Sequence, residues 1–116
     1  MQTNLEGPNR LIVDEIDVAV PASAVGTFAL GHLDYKGRFL VQYVGRSDGD
    51  LRAVLRSKIG AEPLFKHLTF ATPKEAFEKE CELFHKFQPP GNFLHPERPK
   101  GSTWTCPYCL SVNFRR

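Results

Sequence analysis

The chain has 116 residues, 41% of them apolar and 24% charged, with a formal net charge of +2. That is the profile of one small globular domain with a core of its own, and nine Phe for this length fit a well-filled one. It excludes several other classes: no apolar run is long enough to span a bilayer, and the polar, acidic opening MQTNLEGPNR is unlike a secretory signal. Three cysteines, an odd number, fit a reducing, cytoplasmic compartment better than a disulfide framework. The mild positive charge permits nucleic-acid binding without arguing for it.

In chain order, residues 1–10 read as a flexible lead-in. Residues 11–20, LIVDEIDVAV, alternate loosely and read as an edge strand or extended arm, ended by Pro21. Residues 25–33 and 39–45 are strand-like and are joined by the turn-rich Asp34-Tyr35-Lys36-Gly37, which predicts a central antiparallel hairpin. A polar loop follows at residues 46–50. Residues 51–59 form a short helix with Leu51, Val54, Leu55 and Ile59 inward and Arg52 and Arg56 along one edge; Gly60 stops it. Residues 64–71 make a third strand. The order predicts an α+β domain: a small three-stranded antiparallel sheet flanked by helices, with an irregular C-terminal tail. The division expected is an N-terminal arm or edge strand at 1–20, the domain proper at 21–95 and a tail at 96–116.

Residues 72–87, TPKEAFEKECELFHKF, are the most periodic stretch. Thr72 is an N-cap, Pro73 suits the first helical position, and Glu75 completes a capping box. Ala76, Leu83 and Phe87 form one apolar ridge and Phe77, Cys81 and Phe84 the next. Glu80 falls inside that stripe. A carboxylate aimed at a core must be paired, hydrogen-bonded or bound to a metal. Glu80 is thus either a structural partner of an Arg or Tyr, or a metal ligand.

This order, with particular residues in place, resembles the GIY-YIG nuclease superfamily over residues 25–92. Gly26-Thr27-Phe28 stands at the first signature triplet and Tyr43-Val44-Gly45 at the second. Glu80 stands at the single metal-binding Glu, and Gln88-Pro89-Pro90-Gly91-Asn92 is similar to the Pro-Pro-x-Asn segment that closes the domain in repair incision nucleases. The resemblance implies phosphodiester hydrolysis of nucleic acid, DNA foremost. It implies Mg²⁺ or Mn²⁺ on Glu80, Tyr43 as the water-positioning or general-base phenol, and Asn92 as a brace. Gly26, Phe28 and Gly45 would be structural support. The chain departs from the pattern twice. Phe28 lacks the hydroxyl of the usual Tyr, and Val54 stands where the family carries its catalytic Arg. Arg52 and Arg56 lie two residues to either side, about 200° around the helix. One of them, or Arg46, is the candidate replacement. Losing one preorganised donor costs about 10²–10³ in rate, so a catalytically inactive member that binds DNA, RNA or a protein partner is the alternative.

Cys106-Pro107-Tyr108-Cys109 has three readings: a glutaredoxin-like redox site, half of a Zn²⁺ site completed by His95 or His85, or two reduced cysteines in a turn. The zinc reading makes the chain a zinc-stabilised interaction module as a further alternative. Arg46, Arg52, Arg56 and Lys58 gather around the first helix as a candidate phosphate or nucleic-acid surface, and Arg98, Lys100, Arg115 and Arg116 make the tail basic. His32 and His67 fall on strands and read as structural. The sequence leaves the oligomeric state open.

Overall fold

The computed structural model describes residues 4–92 and 94–109. Its elements run β1 (Glu6–Arg10), α1 (Val13–Ala19), β2 (Val25–Leu33), β3 (Phe39–Ser47), α2 (Leu51–Ser57), β4 (Leu64–Phe70) and α3 (Pro73–Phe87). The strands form one sheet in the order β1-β4-β2-β3, antiparallel throughout. The α+β class matches the expectation, with four strands in place of three.

The fourth strand is the N-terminal one. Residues 6–10, expected as a loose lead-in, pair with β4, Glu6 opposite His67 and Arg10 opposite Leu64. Residues 13–19, expected as strand or arm, are helical. The β-branched residues there favour a strand locally. Burial of Leu11, Ile16 and Val20 against α2 and the sheet overrides that preference, and Asp14 and Glu15 suit the first turn.

The hairpin forms as expected. Asp34 Oδ1 accepts from the backbone N–H groups of Lys36 and Arg38, and Gly37 takes the positive φ the turn requires. β3 continues two residues past Gly45, because Arg46 and Ser47 still pair with Thr27 and Gly26. α2 ends at Ser57, earlier than expected, and Ile59 is half-exposed beyond it. α3 carries the full capping box between Thr72 and Glu75, and Gln88 closes it in the left-handed region.

β2 lies between β4 and β3 and is covered on both faces. Phe28 and Leu30 point to one side, into a cluster with Leu51, Leu55, Ile16 and Phe65. Ala29 points to the other, against Val44 and Leu83. Strand alternation therefore gives three layers: α1 and α2, the sheet, then α3. Thr27 Oγ1 donates to the Ala76 carbonyl (2.7 Å) and ties β2 to α3 inside the core. Among the described residues no helix is long and apolar enough to cross a membrane.

Candidate cleft and metal cluster

β3 is the outer strand, so side chains from both of its faces come together around its outer edge. Tyr43 leans toward α2, while Arg46 leans toward α3. The result is a cleft of about 370 Å³ lined by Tyr43, Arg46, Lys58, Glu80, Asn92 and His95 among others. Phe28, Gly45 and Val54 also border it.

Glu80 is 7% exposed. Arg46 Nη1 donates to its Oε1 at 2.6 Å, and Arg46 Nε donates to Asp48 Oδ1 at 2.9 Å. The guanidinium also lies 5.3 Å over the Phe77 ring. Burial pushes the Glu80 carboxyl up to about 7, with Arg46 pulling against that rise. Burial disfavours the charge on Arg46, but the hydrogen bonds to Asp48 and Glu80 outweigh it and hold Arg46 firmly protonated. Glu80 is thus the buried partner of a half-buried Arg. Asp48 completes the group and was not singled out from the sequence; its signal is the Arg-Ser-Asp run directly after the Gly45 triplet.

Tyr43 packs its ring against Phe28, centroids 6.1 Å apart, and the Lys58 ammonium sits 4.8 Å over it. Asn92 braces the edge: its Oδ1 accepts from Val44 N–H (2.8 Å) and its Nδ2 donates to Val44 C=O (3.0 Å). Gly26 is required where it stands, since a Cβ there would lie 2.7 Å from both Leu51 Cδ2 and the Leu68 carbonyl.

The structure does not bring Arg52 and Arg56 into this cleft. Arg52 donates to the carbonyls of Val20 (2.6 Å) and Asp17 (2.8 Å), and Arg56 pairs with Asp17 Oδ1 (2.6 Å). Their angular offset from Val54, which does face the cleft, carries them to α1, where they clamp the two helices together. His32 meets Glu62 (3.3 Å), and His67 is buried with its Nδ1 unpartnered among the described residues. Arg115 and Arg116 lie outside the described residues.

The second site is beside the first. One ligand atom each from His85, His95, Cys106 and Cys109 lies within 4.8 Å of all the others. His85 comes from the last turn of α3 and His95 from the segment after Asn92; the two cysteines form a Cys-x-x-Cys turn in which Cys109 N–H donates to the Cys106 carbonyl. The sequence offered His95 or His85, and the fold supplies both. The edges His85 Nε2–His95 Nε2 (3.2 Å), Cys109 Sγ–His85 Nε2 (3.3 Å) and Cys109 Sγ–His95 Nε2 (3.1 Å) are short. They approach the edges of about 3.3–3.6 Å that a tetrahedron acquires from metal–nitrogen and metal–sulfur bonds of ordinary length. His95 Nδ1–H donates to the Pro96 carbonyl (2.8 Å), which leaves the Nε2 lone pair facing the other three atoms. Two imidazoles and two thiols can together hold one metal ion. Cys81 packs against Cys106 but is not one of the four.

His95 lines both the cleft and the cavity beside the cluster, so the two sites share a wall. These features define a small three-layer α+β domain with a metal-capable His₂Cys₂ cluster flanking an edge cleft. No family model, curated protein or solved structure matches this chain.

Proposed function

We propose that this chain is a GIY-YIG-like nucleic-acid-binding domain of the cytoplasm that does not cut, with a zinc-held C-terminal segment. The observation that carries this reading is the 2.6 Å pair between Arg46 and Glu80. A carboxylate that must hold a divalent ion is already committed to a guanidinium, and Val54 occupies the helix position at which the resembling family has its Arg. A divalent ion entering here would have to displace that guanidinium from Glu80, so the pair competes directly with metal binding. Zinc suits two thiolates and two imidazoles in a closed tetrahedral set, which is a structural and not a catalytic arrangement. A reducing compartment keeps those thiols available to it.

A second reading is favoured by the convergence of Tyr43, Lys58, Arg46 and Glu80 on one cleft. In it Arg46 turns from Glu80 to the scissile phosphate, Glu80 takes Mg²⁺ or Mn²⁺, and the domain is an endonuclease. One experiment separates the two. Supercoiled and branched DNA are incubated with wild type and Glu80→Ala in Mg²⁺ or Mn²⁺, with binding followed in parallel. Salt-sensitive binding that survives Glu80→Ala, without cleavage above the variant's background, is the expected result. Divalent-dependent nicking lost in Glu80→Ala overturns the non-cutting reading.

A further inference from the structure

Three cavities of about 420, 370 and 300 Å³ adjoin one another along residues 90–92 and 94–98. The first and second share Tyr43 and Lys58; the second and third share His95 and Pro96. Each is in or near the range of small-ligand sites, about 300–1,000 Å³. The segment that walls all three is fastened twice, by Asn92 on Val44 and by His95 in the metal cluster. The cavities therefore form one track along a fixed rail.

The chemistry along the track is uneven. The first compartment offers Gln42, Tyr43 and Pro90 above the buried Leu30; the third offers Trp104 and Arg98 above the buried Phe77. The acids concentrate in the middle, where Asp48 and Glu80 are both held by Arg46 and Glu97 stands at the wall. In the first compartment Glu62 is engaged by His32. Among the described residues no carboxylate forms an ion pair with Lys58 or Arg98, so these two cations, one at the first junction and one in the last compartment, are available to an anionic strand.

From the Trp104 recess and these two available cations we infer that the ligand is an unpaired nucleic-acid strand laid along residues 90–92 and 94–98, its phosphates meeting Lys58 and Arg98 and one base entering against Trp104. This rests on the nucleic-acid reading proposed above and narrows it to single strands. A duplex keeps its bases stacked inside and presents no free ring face to such recesses, whereas an unpaired strand does.

Trp104 is the only tryptophan in the chain, so its emission reports directly on the third compartment. The 116-residue chain, loaded with zinc, is titrated with a labelled oligothymidylate of about 12 nucleotides and with a duplex of equal length. Anisotropy reports binding and tryptophan emission reports its place. The single strand binds more tightly than the duplex and quenches Trp104. Trp104→Ala weakens binding at least about fivefold, and Trp104→Phe, which keeps a ring, retains most of it. Lys58→Ala lowers the salt slope by about 0.7, while Lys74→Ala, exposed at the start of α3, changes nothing. Metal content confirms that each variant is folded at the cluster. Binding without quenching and without any effect of Trp104→Ala or Lys58→Ala overturns the track but leaves the nucleic-acid reading standing, as does a preference for duplex. No association with either probe, or with the equivalent RNA strand, overturns both.

Discussion

Phe28 and Gly45 face each other across β2 and β3, and the Phe28 ring fills the place a Gly45 side chain would take. A Cβ on Gly45 would stand 2.6 Å from Phe28 Cζ. The two signature-like triplets are therefore one packing unit, in which the ring of the first closes over the glycine of the second. Gly45→Ala is expected to lower stability by about 1–3 kcal/mol through overpacking, and Phe28→Ala by about 3–5 kcal/mol through the cavity it leaves. Denaturant titration of both checks this. Phe28→Tyr tests a separate point: the site tolerates the ring, so unchanged stability is compatible with a hydroxyl reaching the cleft.

Glu80 gives the domain a pH dependence of definite sign. Its carboxyl releases its proton at the ordinary value of 4.5 in the unfolded chain and at about 7 in the fold. Between those values the folded state binds the extra proton, so this group's contribution to stability falls as pH rises, by on the order of 3 kcal/mol in all. His67 acts oppositely, because burial lowers its affinity for a proton and acid therefore destabilises the fold. Comparing melting curves of wild type and Glu80→Gln from pH 5 to 8 isolates Glu80. The difference between the two proteins shifts in favour of Glu80→Gln as pH rises, and a constant difference would show that Glu80 is ionised throughout.

On the zinc reading, removal of the metal is expected to loosen the tail and leave the sheet. At one hundred times its dissociation constant a bound ion adds about 2.7 kcal/mol, roughly 10 °C of melting temperature for a domain of this size. Chelation or Cys106→Ser is expected to abolish stoichiometric zinc and to expose residues near 94–109 to protease, while amides of β2 stay protected. Cys81→Ser, by contrast, keeps the metal.

Much of this was legible in the sequence, and the failures have physical causes. The hairpin was carried by Asp34 and Gly37, and α3 by the box between Thr72 and Glu75, all of them local signals. Glu80 announced itself as a carboxylate inside an apolar stripe. Its partner did not, because Arg46 lies on β3, thirty-four positions away. α1 was hidden by the β preference of its Val and Ile residues, which only burial of Ile16 and Val20 overrides. β1 has almost no strand character of its own, with Gly7 and Pro8 within it, and exists because β4 offers it an edge. The choice between His85 and His95 was open because spacing alone does not say that the end of α3 and the later segment converge.

Asn92→Ala is expected to cost about 2–3 kcal/mol, since it removes two hydrogen bonds and leaves both backbone groups of Val44 without those partners. Chemical denaturation checks the size, and faster amide exchange at Val44 checks the place.

That residue has a wider role than bracing. Gly91 N–H donates to the Gln42 carbonyl while Asn92 satisfies Val44, so two residues of an irregular segment occupy hydrogen-bonding positions that a neighbouring strand would otherwise take. A sheet margin left open recruits other chains. The segment after α3 is in this sense a molecular selvedge, finishing the sheet so that it does not unravel into its neighbours. Its loss would convert a self-contained domain into one prone to joining copies of itself edge to edge.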